Sequence, residues 1–153
     1  MRRETLLVIG FVSIVLATVA VIWYFALPAL RPVPFRTVSD VTLTIAQTGK
    51  TRVLDAEQTR DLNRWLQDHR HGWAPLTSPA PSTGDVLIKG RDDHGKAFAL
   101  TLWTGVSGAD WNNTAIARVT PDARFRVQTF SNDAWKTLGY LIDGRGYART
   151  DVP

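Results

Sequence analysis

The apolar positions along this chain change period several times, and each change marks an element. Residues 5–27, TLLVIGFVSIVLATVAVIWYFAL, contain no charged side chain. As a helix they would reach about 34 Å, enough to cross the hydrocarbon core of a bilayer. Residues 28–36, PALRPVPFR, hold three prolines, which forbid continuing that helix and predict an extended, semi-rigid linker over 28–40. A period of two follows: Val41, Leu43 and Ile45 alternate with Thr42 and Thr44, and QTGK then supplies turn residues, which predicts a β-hairpin over 41–54.

The period next becomes helical. Asp55 with Gln58 three positions on forms a capping box, Leu62, Trp65 and Leu66 make the apolar stripe, and Gly72 is expected to stop the helix. APLTSPAPSTG (74–84) reads as a surface stretch. Four strands are expected at 85–90, 96–103, 114–120 and 124–130, with Phe98, Leu100 and Leu102 on one face of the second. RDDHG and PDA are short enough to pair neighbours antiparallel, while TGVSGADWNN (104–113) is a longer loop. A final helix opens at Ser131, presents Leu138, Leu141 and Ile142, and stops at Gly144, leaving 144–153 as a flexible tail.

The expected fold is therefore α+β. An N-terminal transmembrane helix precedes a domain over 41–143, in which a mainly antiparallel sheet (hairpin, helix, four-strand meander, helix) packs against two helices. The other face of the sheet would be free for a partner.

Charge sets the orientation. Arg2 and Arg3 precede the apolar run and only Arg31 and Arg36 follow closely, so residues 1–4 are expected to be a cytoplasmic tail and the domain to be exported. A cleaved signal peptide is the competing reading, but secretory apolar regions run about 7 to 15 residues, so the length favours a retained anchor. In a bacterium this places a single-pass protein in the inner membrane with a periplasmic domain. The 153 residues include no cysteine, so the domain must hold by its core alone. A net charge of +4, spread along the sequence without a cluster, argues against nucleic acid as a partner.

Candidate chemistry is sparse. His69-x-His71 resembles a metal pair, but on a helix running to Gly72 the two rings would lie about 200° apart, and Arg70 and His71 in the last turn would simply favour the dipole. His94 falls at a hairpin tip. Asp85, Asp92, Asp93, Asp110 and Asp122 read as solvated turn residues rather than an acid pair, and no G-x-S-x-G elbow occurs. The chain is thus expected to be no enzyme and to need no metal or cofactor.

The remaining candidate is a surface. Asp110, Trp111, Asn112 and Asn113 would place a flat apolar ring among polar groups on a loop. Trp73 either joins that ring or plugs the end of the sheet, and the usual burial of tryptophan favours the plug. Two readings follow. The first is a membrane-anchored recognition module acting through protein contacts in the envelope: a complex subunit, an assembly factor, or an inhibitor or immunity protein. The second is a carbohydrate or cell-wall binder that stacks glycan on Trp111 and Trp73.

Overall fold

In the computed structural model, which describes residues 2–144, the uncharged segment forms one helix, α1 (Arg2–Leu30). Over Arg2–Leu27 it is long and apolar enough to cross a membrane, and none of that stretch is buried against the other described residues. Two of its hydroxyls are satisfied within the helix, Ser13 donating to the carbonyl of Ile9 and Thr18 to that of Ile14, as an apolar surrounding requires. Trp23 and Tyr24 are exposed near its C-terminal end.

The fold is α+β, with three α-helices and a seven-stranded antiparallel sheet among the described residues. The strands are β1 (Val38–Ile45), β2 (Thr51–Val53), β3 (Ala74–Pro75), β4 (Val86–Asp92), β5 (Ala97–Trp103), β6 (Thr114–Arg118) and β7 (Arg126–Thr129), in the order β2-β1-β4-β5-β6-β7-β3. β3 is one strand more than the periodicity shows: Ala74 and Pro75 pair with Val127 and Arg126 inside the stretch expected to be surface loop. A two-residue strand has no period to detect, and proline is tolerated there because β3 is a sheet edge. The third and fourth expected strands also end short of 114–120 and 124–130.

Helices α2 (Ala56–Asp68) and α3 (Asn132–Asp143) begin where their caps predict. Asp55 accepts from the Gln58 amide at 2.8 Å while the Gln58 side chain accepts from the Asp55 amide at 3.2 Å. Ser131 accepts from the Ala134 amide, and Gly144 closes α3 at φ 74°. The end of α2 differs from expectation. It stops at Asp68, four residues before Gly72, because the Trp65 carbonyl takes both the His69 amide (3.0 Å) and His69 Nδ1–H (2.8 Å). Trp73 Nε1–H then donates to the His69 carbonyl at 2.6 Å. Arg70 and His71 therefore lie beyond the helix, and its dipole does not account for them.

Leu62, Trp65 and Leu66 of α2 and Trp135, Leu138 and Leu141 of α3 bury against the inward row Val41, Leu43, Val86, Ile88, Leu100 and Leu102. Trp65 Nε1–H donates to the Ala134 carbonyl at 2.7 Å and ties the helices together. Both helices use one face of the sheet. The opposite face carries the register rows Thr44, Leu87, Thr101, Ile116, Val127 and Thr42, Lys89, Ala99, Arg118.

The linker expected over 28–40 is not a spacer. Val33 and Phe35 are core residues, 4% and 5% exposed, and only Arg31 and Pro32 separate them from α1. Phe35 packs edge-on against Trp73 (5.5 Å) and Phe98 (6.3 Å). Side chains of α2 stitch this segment down: Asn63 exchanges two hydrogen bonds with the backbone of Val38 and Gln67 donates to the Phe35 carbonyl. The Val33 amide donates to the Arg70 carbonyl just past the helix. The prolines hold the chain extended, and the alternation Pro32, Val33, Pro34, Phe35 then buries every second residue. The folded body thus starts at Val33 rather than 41. A fragment beginning at Val41 is expected to lose at least about 3 kcal/mol relative to one beginning at Arg31, since it deletes the Phe35 contacts among others. Urea denaturation of the two fragments checks this.

The flexible tail expected over 144–153 falls, beyond Gly144, outside the described residues.

Candidate functional site

Loop 104–113 is held from beneath by one carboxylate. Asp85 precedes β4 and is 4% exposed. Its Oδ2 accepts from the Thr104 amide (2.7 Å), the Thr104 hydroxyl (3.0 Å) and the Val106 amide (3.3 Å), and its Oδ1 from the Ser107 amide (3.0 Å). Burial by itself would raise the pKa of this group, but the hydrogen bonds from Ser107 and Thr104 together outweigh it and hold the carboxyl below its ordinary value of 3.8. Asp85 was expected to be a solvated turn residue. It is instead the anion around which the loop is wound.

A second strand of chain locks the same loop. Ser82 shares a hydrogen bond with Ser107 (2.7 Å) and accepts from Trp103 Nε1–H (2.9 Å), so residues 76–84 and 104–113 interlock. Gly108 permits the contact, since a Cβ there would come within 2.8 Å of Pro81. Trp103 is 2% exposed and lies outside the core cluster, and Trp111 meets it edge-on at 5.0 Å.

The expected site residues divide accordingly. Asp110 and Asn112 are exposed beside Trp111, which is half-buried on Trp103. Asn113 serves the scaffold: it takes φ 55° and donates through Nδ2 to Asn132 at 2.7 Å, joining the loop to the start of α3. Trp73 does not belong to this surface. It is fully buried, 5.5 Å from Phe35 and 5.4 Å from Phe130, and so is the plug of the core rather than a stacking platform. Val106, 62% exposed at the loop crown, was not singled out by the sequence.

The histidines are placed by packing. His69 stacks on Trp65 at 4.6 Å and meets Phe130 edge-on, whereas His71 is exposed. His94 is exposed in a turn closed by Asp92, which accepts from the His94 and Lys96 amides at 2.9 and 2.8 Å and is only 6% exposed. Asp92 is thus a second carboxylate that is not solvated. Asp93 is on the surface, its carboxyl held below the ordinary range by the hydrogen bond from Arg36 at 3.0 Å.

A groove of about 500 Å³ occupies the side of the sheet that neither α2 nor α3 covers, at the end where β4 turns into β5, lined by Asp40, Thr42, Lys89, Arg91 and Arg118 among others. A β-bulge shapes it. The register of β1 on β4 shifts between Ser39, opposite Arg91, and Thr42, opposite Lys89, and Asp40 takes a left-handed φ of 51°. Gly90 lies across from the bulge, where a Cβ would sit 3.0 Å from the Ser39 carbonyl oxygen. The Arg118 guanidinium lies 5.0 Å over the Phe125 ring and donates to the Pro121 carbonyl, while its Nε is buried without a hydrogen-bond partner among the described residues. Three cations against one carboxylate suit an acidic visitor.

Compared with protein-family models, curated proteins and solved structures, the chain finds no match. Its function is therefore argued from the two surfaces. One is a braced loop with an exposed apolar crown, and the other a basic groove on an open sheet face.

Proposed function

We propose that this chain is a single-pass membrane protein whose folded domain recognises a protein partner in the cell envelope. In this reading α1 is a retained anchor in the inner membrane, the N-terminus is cytoplasmic and the domain periplasmic. The partner relationship is that of a complex subunit, an assembly factor, or an inhibitor or immunity protein. The observation that carries the reading is the groove formed by Lys89, Arg91, Arg118 and Asp40 on the face of the sheet that neither α2 nor α3 covers. An acidic segment of a partner would meet complementary charge there, and the anchor would raise its effective concentration.

Lys89 and Arg91 are exposed, so reversing both charges leaves the core intact. The double variant Lys89→Glu with Arg91→Glu is expected to weaken partner capture from solubilised membranes at least about tenfold, since like charges across an interface cost several kcal/mol. Capture at the wild-type level would remove the groove from the interface.

The glycan reading retains one argument, the half-exposed ring of Trp111 between the exposed Asp110 and Asn112. With Trp73 enclosed, it has a single platform instead of two. Sedimentation with cell wall that is lost in Trp111→Ala would favour it over a protein partner.

A further inference from the structure

Charge that is dispersed in the sequence is concentrated by the fold. Residues 31–36 leave α1, residues 69–76 carry β3, and residues 120–126 lead into β7. The three segments meet: Val33 bonds to Arg70, the Leu76 amide donates to the Phe125 carbonyl at 3.1 Å, and Pro75 pairs with Arg126. Together they hold five arginines, but Arg36 is paired with Asp93 on the β4–β5 turn and Arg126 donates to the Trp73 carbonyl, which leaves Arg31, Arg70 and Arg124 beside one carboxylate of these segments, Asp122. Over the whole chain the ratio is only 18 cations to 14 anions. Exposed Pro75 and Phe125, the latter 46% exposed, add apolar surface at the same edge.

The position of this edge relative to the anchor is set by the short connection. α1 packs beside β3, and because Val33 is pinned to Arg70 three residues after Leu30, it is the C-terminal end of α1 that lies there. A helix whose membrane-spanning stretch ends at Leu27 carries Leu30 and Arg31 about 5 Å further, a distance that stays within the headgroup layer. The stitched segment 33–38 leaves no slack by which the domain could lift away.

We propose that the domain lies directly on the bilayer, with the β3 edge seated among the headgroups and Arg31, Arg70 and Arg124 against the phosphates of anionic lipid. The inference rests on the reading of α1 as a retained anchor. Each arginine near the surface adds to the attraction, and the apolar edge residues suit the interfacial layer. The domain then has a fixed orientation on the membrane, and the interlocked 104–113 loop stands at the opposite ends of β5 and β6 from the 120–126 turn.

The test uses the full chain in vesicles of phosphatidylcholine with and without phosphatidylglycerol. Since the chain has no cysteine, Pro75→Cys and Val106→Cys each provide one site for a nitroxide label. In protein that floats with vesicles after an alkaline wash, the label at 75 is expected to be severalfold less accessible to an aqueous nickel relaxant than the label at 106. That shielding is expected to weaken without phosphatidylglycerol, and equally in the Arg31→Glu, Arg124→Glu background. Equal accessibility at 75 and 106 in inserted protein would overturn the seated domain while leaving the anchor in place. Failure to float with the vesicles would remove the anchor, and the seating with it.

Discussion

Replacing Trp73 with alanine is expected to destabilise the domain by about 3–5 kcal/mol, the range for removing a fully buried large aromatic. The side chain is fully enclosed and contacts Phe35 and Phe130. Its Nε1–H also donates to the carbonyl of His69, the residue that caps α2, so the substitution both opens a cavity and loosens a helix end. For a body of this size the midpoint of thermal unfolding should fall by more than about 10 °C. Trp111→Ala serves as the contrast: its ring is half-exposed, and its removal should cost about 1–2 kcal/mol. Differential scanning calorimetry of the two variants compares them directly. Similar small losses in both would place Trp73 outside the core and return it to the list of surface rings.

The second large effect belongs to Asp85. Truncation to alanine would strip the acceptor from three backbone amides and the Thr104 hydroxyl at once, an expected loss of about 3 kcal/mol. The cost should be local before it is global: amide exchange at Thr104, Val106 and Ser107 should accelerate while the amides of β4 and β5 stay protected. A pH dependence follows from the same contacts. The folded-state pKa is depressed below 3.8, so the stabilisation is fully present above that value and disappears as pH falls through the lower, folded-state pKa. Asp85→Asn should therefore be less stable than wild type at neutral pH, and the gap should narrow in acid. A gap that is constant between pH 7 and pH 3 would show that Asp85 acts through packing and not through charge.

The elements that were legible in the sequence are those governed by neighbours a few residues apart. The capping box at Asp55 and Gln58, the Ser131 cap, the stripes of α2 and α3 and the alternation through β1 and β5 each follow from local backbone demands and one-sided burial. What was misread depended on contacts distant along the chain. Proline at 32 and 34 signals an extended segment equally well whether water or α2 lies beside it, and only Asn63, Gln67 and the Arg70 carbonyl decide that it is packed. Asp85 looks like other aspartates next to glycine until the chain returns, some twenty residues on, with three amides pointed at it. The bulge at Asp40 is a matter of register against β4, which no single strand encodes.

The same division runs through the functional surfaces. Asp110, Trp111 and Asn112 could be found because they are consecutive, whereas the groove of Lys89, Arg91, Arg118 and Asp40 joins three strands. By itself the sequence determined that a helix fit to span a membrane precedes an α+β domain, because hydrophobic periodicity and capping are short-range properties. Tertiary structure alone decided which tryptophan is enclosed, which carboxylate braces a loop and which scattered arginine-bearing segments meet at the β3 edge. Those outcomes depend on which distant segments share a sheet edge, and strand pairing is fixed by the whole core rather than by any one stretch of residues.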